Sequence, residues 1–167
     1  MFGLNNKYIK VYISKYIQIN MIFDINGIRI KTRKCSKSDL NFALKLTRET
    51  LFPFMSKYFK PSTEKFRKDF YESYKNTLIL IKSKIRIGLF QIEKNRNNLE
   101  IVKILISPRY QGKGIGKYLM KYFETLGAKK IILQVWDNNP AFYFYKKLGY
   151  YYVKKIKHKI HMEKIIK

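Results

Sequence analysis

Cysteine and histidine are nearly missing from this chain, which carries Cys35 as its one thiol and only His158 and His161 as imidazoles in 167 residues. A lone cysteine excludes an internal disulfide framework and fits a reducing compartment. With so few soft ligands there is no zinc-type spacing, and no metal is expected. His158 and His161 fall on a basic strand and read as surface residues. Acidic residues are scarce as well: 11 Asp and Glu stand against 36 Lys and Arg, a formal charge of +25. No apolar run approaches the ~20 residues that span a bilayer, so no transmembrane segment is expected, and the N-terminus lacks the continuous apolar stretch of a signal peptide. A cytoplasmic location is the expectation.

What is present suits one compact domain, because 46% hydrophobic residues can furnish a core for a chain of this length. The positive excess is mostly lysine spread along the whole chain, with no basic block of five or more; it is densest from Lys154 to Lys167. A field of that sign attracts nucleic acid, anionic membranes or polyanionic ligands. Its even spread, beside abundant Ile, Asn and Tyr, reads as a compositional habit, so nucleic acid is not the expected partner.

Strand and helix signals alternate in an α/β (α+β) order. Asn26-Gly27 is a hairpin turn between Met21–Ile25 and Ile28–Thr32. Ser38 reads as the cap of a helix bearing Leu40, Ala43, Leu44 and Leu51, with Pro53 as its end. Ser62 opens a second helix with Phe66, Phe70, Tyr71 and Tyr74 at helical spacing. Strands are expected at Thr77–Lys82, Lys84–Glu93 and Leu99–Ser107, then a helix over Gly114–Leu126 closed by Gly127, and a buried strand at Ile131–Trp136. Asn139, Pro140 and Gly149 punctuate a short helix, and Tyr150–Lys155 and Lys159–Lys164 form a last pair of strands. Residues 1–20 precede this order as an extension whose Ile9, Tyr12, Ile13, Tyr16 and Ile17 could share a helix face; Met21 is a second credible start, and residues 21–167 form the domain.

Chemistry concentrates where an apolar strand breaks into Gln111-Gly112-Lys113-Gly114-Ile115-Gly116-Lys117 and then a helix. Glycines let backbone N–H groups approach an anion, and the helix N-terminus adds a positive dipole end. The spacing fits neither the P-loop nor Gly-x-Gly-x-x-Gly. It does fit Gln-x-x-Gly-x-Gly, through Gln111, Gly114 and Gly116, which resembles the acetyl-CoA pyrophosphate loop of the GNAT N-acetyltransferase superfamily. Downstream, Asn138, Ala141, Tyr145, Gly149 and Tyr150 resemble the family's second motif. The resemblance runs from about Arg29 to Lys164, with its specific part between Glu100 and Tyr150.

The resemblance implies a mixed central sheet of about six or seven strands with flanking helices, splayed between strands 4 and 5, and acetyl-CoA as co-substrate. It implies that the main chain of Ile104, Leu105 and Ile106 receives the pantetheine arm, with a backbone N–H near Leu105 or Ile106 facing the thioester carbonyl. The loop from Gln111 through Gly112, Lys113, Gly114, Ile115, Gly116 and Lys117 would hold the pyrophosphate; Lys113 and Lys117 read equally as phosphate contacts or as solvated lysines. Asn138 belongs to the cofactor-side motif. Tyr145 would lie beside the sulfur as general acid. Glu100, eleven residues before Gln111, matches the glutamate that serves as base in the histone-type branch, although a solvated strand-edge carboxylate, with water as base, is the plainer reading.

The implied activity is N-acetylation of a primary amine on a small molecule, peptide or protein, with a homodimer open. The alternatives are a catalytically silent acyl-CoA-binding relative and a basic nucleic-acid-associated protein. Phe52, Phe54, Tyr58, Phe59 and Trp136 could line an acceptor pocket or fill the core.

Overall fold

The computed structural model describes residues 20–95 and 97–167; the helix face expected within residues 1–19 lies outside them. Among the described residues its centre is one sheet of eight strands: β1 (Ile22–Ile25), β2 (Ile28–Lys34), β3 (Thr77–Lys82), β4 (Ile85–Asn95), β5 (Asn98–Ile106), β6 (Lys130–Trp136), β7 (Tyr151–Ile156) and β8 (Lys159–Ile165). They lie in the order β1-β2-β3-β4-β5-β6-β8-β7. The eight strands are the eight segments marked in the sequence, where the resemblance alone implied about six or seven; the Asn26-Gly27 turn, with φ of 48° and 77°, joins the first two as expected. Every neighbouring pair is antiparallel except β5 and β6.

That parallel pair holds the feature that matters most for function. β5 and β6 are in register only from Asn98 to Ile101 against Lys130 to Leu133. Beyond those rungs β5 follows β4 as far as Ile106, whereas β6 follows β8 as far as Trp136. The parting coincides with a bulge: Ile92 faces Ile101 and Gln91 faces Lys103, which leaves Val102 as an extra residue in β5. An extra residue bends its strand and sharpens the twist, so β5 swings away from β6 at this point.

Five helices among the described residues cover the sheet: α1 (Leu40–Thr50), α2 (Phe52–Met55), α3 (Thr63–Ser73), α4 (Ile115–Glu124) and α5 (Ala141–Lys147). On one face Ile115, Leu119, Met120 and Phe123 of α4 lie at helical spacing and pack on Ile30, Phe90, Ile92, Leu99 and Ile131. Burial of each such side chain contributes roughly 1.5–3 kcal/mol. On the other face Leu40, Ala43, Leu46 and Phe70 of α1 and α3 cover Ile79, Leu89 and Leu105. Among the described residues no helix is long and apolar enough to cross a membrane.

Helix starts show where side chains rather than propensity decide. α3 begins as expected, with the Lys65 N–H donating to the Ser62 hydroxyl oxygen at 3.1 Å. α1 does not begin at a Ser38 cap: a 3₁₀ turn over Lys37–Asp39 precedes it, and Ser36 is the residue at the turn's head. Pro53 does not terminate α1 either; it sits in the first turn of α2, where a missing N–H costs nothing. Asp39 organises the entry. Its fully buried carboxylate accepts from the Ser36 N–H at 2.9 Å, from both Arg33 guanidinium nitrogens at 2.7 and 2.8 Å, and from Arg86 at 3.0 Å. These partners outweigh desolvation and hold its pKa well below the usual carboxylate range.

A depressed acid pKa stabilises the fold fully above the unfolded value of ~4 and loses that contribution as pH falls below it. Asp39→Asn is therefore expected to lower the unfolding free energy by about 2–3 kcal/mol near neutral pH, short of a fully buried pair because both guanidiniums stay partly solvated. Urea titrations at pH 7 and at acid pH should show the two proteins converging as the pH drops; a constant difference would assign the loss to packing alone.

Candidate active site

The glycine-rich loop is built by the end of β5 and the start of α4. The chain leaves Ile106, makes a 3₁₀ turn over Pro108–Tyr110, and enters α4 through Gly114, whose φ of 87° is left-handed. A Cβ at Gly114 would meet Ile25 Cγ2 at 3.3 Å besides being strained. Gly114 is the cap of α4, so the N–H groups from Gly114 to Lys117 have no acceptor one turn back in the helix and remain available to an anion. A Cβ at Gly116 would stand 3.4 Å from the Phe144 ring, so glycine there lets α5 pack closely on the start of α4.

Neighbours brace this loop. The Gln111 side-chain nitrogen donates to the Ile106 carbonyl at 2.8 Å, tying the loop to the strand end, and the Asn26 side chain of the first hairpin donates to the Lys113 carbonyl at 3.4 Å. Lys117 lines the cavity below the loop; Lys113 does not, and its ammonium lies 5.4 Å from the centre of the Tyr110 ring.

The splay of β5 from β6 opens a cavity of about 1130 Å³ that runs between the two faces of the sheet. Gly112, Gly114, Gly116 and Lys117 border one arm, Ile104 and Ile106 the middle, and α1, α2 and α3 the other arm. Backbone parity identifies the groups that face the gap. The Ser107 N–H donates to the Ile87 carbonyl at 2.8 Å, across to β4. Strand N–H groups alternate in direction, so that of Leu105 also points to β4, and those of Ile104 and Ile106 point into the gap. Of the two N–H groups expected near the carbonyl, those of Leu105 and Ile106, only that of Ile106 faces the gap, while the Leu105 side chain is buried under α1 and α3.

Tyr145 of α5 lines the cavity and packs against the rings of Phe144 at 5.2 Å and Tyr150 at 6.0 Å. Burial among these rings pushes its pKa up to about 12, so the phenol is protonated at any neutral pH. α5 starts one residue later than an Asn139 cap would give, with Pro140 at the cap, although the Ala141 N–H still donates to the Asn139 side chain at 2.9 Å; Gly149, at φ 87°, closes the helix as expected, with the Tyr150 N–H returning to the Tyr145 carbonyl at 3.1 Å. The Asn138 amide nitrogen donates to the Phe54 carbonyl of α2 at 3.0 Å, which ties the approach to α5 to α2, and Asn138 is not among the residues bordering the cavity, while its Oδ1 is buried without a hydrogen-bond partner.

Glu100 lies half-buried on β5, one residue from the last rung before the splay and opposite Glu93. Burial first and the Glu93 charge second raise its pKa, with Lys159 opposing them. It is not among the residues bordering the cavity.

The acceptor-side aromatics divide. Phe52, Phe54, Phe59 and Trp136 border the cavity, whereas Tyr58 leaves it, donating its hydroxyl to Asp137 and stacking on His158 with centroids 3.8 Å apart. Lys155 completes that cluster with a 2.6 Å ion pair to Asp137. Sequence reasoning passed over Asp137, and it also passed over Lys103, which borders the cavity just past the bulge. The available signal for Lys103 was a lone charge inside the apolar run Ile101-Val102-Lys103-Ile104-Leu105. Among the described residues no group of three or more His, Cys, Asp or Glu could hold a metal ion.

Comparison with known proteins agrees with this geometry. Similar solved structures include the PaiA N-acetyltransferase from Thermoplasma acidophilum in complex with coenzyme A, 24% identical over 81% of this chain and 98% of that one, with a TM-score of 0.65. An acetyltransferase from Thermus thermophilus is 16% identical over 81% and 96% with a TM-score of 0.67. The ribosomal-protein-S18-alanine N-acetyltransferase from Escherichia coli is 18% identical over 82% and 94% with a TM-score of 0.60. These likenesses concern the fold. The sequence profile of the acetyltransferase (GNAT) family matches residues 45–150, which takes in α2 to α5, most of α1, the splay, the glycine-rich loop and Tyr145. With the profile and the splayed sheet in agreement, the chain belongs to the GNAT acetyltransferase family.

Proposed function

We propose that this protein transfers the acetyl group of acetyl-CoA directly to a primary amine of a small molecule or peptide, with Tyr145 as general acid and Glu100 as general base. The observation that carries the reading is one continuous cavity bordered by the glycine-rich loop, the gap-facing strand end at Ile106 and Tyr145. The residues fit the co-substrate: the Gly114–Lys117 amides and the Lys117 ammonium suit a pyrophosphate, and the gap beside Ile104 and Ile106 suits an extended arm that bonds to a strand edge. Acetyl-CoA, when bound, supplies a thioester whose carbonyl carbon accepts the amine.

The protein's residues then have three tasks. The Ile106 N–H faces the developing oxyanion. An acceptor amine with a pKa near ~10.4 must lose a proton before it attacks, which costs roughly 4–5 kcal/mol at pH 7. Glu100, raised by burial, is a better base than an ordinary carboxylate, and it reaches the amine through a bridging water because it stands back from the cavity wall. Tyr145 gives a hydrogen bond, and finally its proton, to the departing sulfur. Cys35 takes no part: it is buried, with its thiol pushed up to about 12 by burial, and it suits a reducing compartment such as the cytoplasm.

A thiol-release assay over a panel of amines tests the reading. Acetyl-CoA binding with no release for any amine would favour the silent alternative. Glu100 must be ionised to act, so activity is expected to fall as pH drops through its raised pKa, at a higher pH than an unperturbed carboxylate would give. Glu100→Gln should lose that acid limb, with kcat/KM at pH 7 down ~10²-fold and partial recovery at high pH where the amine is already free. An acid limb that persists in Glu100→Gln would assign the base to another group.

A further inference from the structure

The two arms of the cavity differ in charge. Beyond the splay, the acceptor arm is bordered by Lys60, Lys65, Lys103 and Lys159 against one carboxylate, Asp69. Three of these lysines are exposed, and Lys159 rests over the Trp136 ring at 5.3 Å. Lys103 is half-buried. It follows the Val102 bulge, shares the face of Leu105, and so projects toward α1 and α3. Among the described residues its ammonium has neither a hydrogen bond nor an ion pair within 4.0 Å. Burial lowers its pKa, and the more distant Asp69 charge only partly offsets this.

An ammonium drawn out of water with no close counter-charge is unfavourable, and a ligand that carries the counter-charge recovers that free energy on binding. The exposed lysines around it add a field that draws anions in and repels second cations.

Resting on the acetyltransferase reading above, we infer that Lys103 holds an anionic group of the acceptor, so that the substrate is a primary amine bearing a carboxylate or a phosphate. The bulge at Val102 is what places that ammonium in the cavity. The substrate's amino group then lies toward the gap, where Ile106 and Tyr145 border the cavity, and its anion toward α3. A diamine would set a second positive charge against the same four lysines.

The experiment uses full-length protein and a matched series: 1-aminobutane, 1,4-diaminobutane, 4-aminobutanoate and 4-aminobutyl phosphate. Thiol release should give kcat/KM at least tenfold higher for one or both anionic amines than for the neutral amine, and lowest for the diamine; the better of the two anions identifies the group read. In Lys103→Met that preference should collapse through KM rather than kcat, and Lys103→Arg should restore part of it. Calorimetry should show acetyl-CoA binding unchanged in both variants.

Preference surviving in Lys103→Met, or kcat falling alike for every amine as a lost base would make it, overturns the inference. Binding is measured separately by calorimetry on CoA-saturated protein. If neither anionic amine binds saturably, or if binding is equal in Lys103→Met, the subsite is refuted whatever the turnover. If they bind through Lys103 yet no thiol is released, the transfer reading fails and the subsite stands.

Discussion

Tyr145→Phe should bind acetyl-CoA within about twofold of the unaltered protein while turnover at saturation falls ~10²- to 10⁴-fold. The substitution removes one oxygen and keeps the ring, so the contacts with Phe144 and Tyr150 that seat α5 are retained. What disappears is the hydroxyl proposed to donate to the leaving sulfur. A phenol near 12 is a weaker acid than a solvated thiol at ~8.5, so complete transfer is uphill unless the sulfur is desolvated too. Tyr145 therefore contributes chiefly as charge builds on the sulfur, and its loss appears in kcat. Steady-state thiol release with a good acceptor, paired with calorimetry of acetyl-CoA, measures both quantities. Normal turnover in Tyr145→Phe would make the residue a packing group.

Gly114→Val should raise the Kd for acetyl-CoA at least ~10²-fold, about 2.7 kcal/mol. A β-branched residue at φ 87° is strained by roughly 1–3 kcal/mol, and its Cβ would press on Ile25 at 3.3 Å. The chain relieves both by rotating the cap, which turns the Gly114–Lys117 amides away from their common focus. Because α4 is held independently by Ile115, Leu119, Met120 and Phe123, the fold should survive. Calorimetry with acetyl-CoA, beside a thermal unfolding curve, separates the two effects. Unchanged affinity in a folded variant would remove the loop from the binding site.

Much of the architecture was legible because glycine, proline and small polar residues announce themselves locally. Asn26-Gly27 gave the hairpin, Ser62 the start of α3, and Asn139, Pro140 and Gly149 both ends of α5 to within a residue. Ser36 was missed in favour of Ser38 because the choice belongs to Asp39, whose partner Arg86 is 47 residues away in sequence. Asn138 reads as part of the cofactor-side motif, but its bond to the Phe54 carbonyl, 84 residues distant, has no local signal. Whether Leu105 or Ile106 turns its N–H to the gap depends on ladder parity, which leaves no trace in side-chain identity. Lys103 stood in plain view, but its setting is created by the Val102 bulge and by α3, and neither can be derived from the strand's own residues.

The four rungs joining β5 to β6 also bear on how the molecule assembles. β1 to β5 form one antiparallel unit and β6, β8 and β7 another, each pairing without help from the other. Either unit can pair its own strands first, and the β5–β6 junction then joins them across four parallel rungs once α4 has packed on the sheet. Docking of the two halves is thus the step that creates the cavity, and a chain arrested before it would keep nearly all its strands and helices while binding nothing. Far-UV circular dichroism would be nearly blind to that arrest. Trp136, the single tryptophan, ends β6 at the cavity wall, so its fluorescence reports the docking event directly.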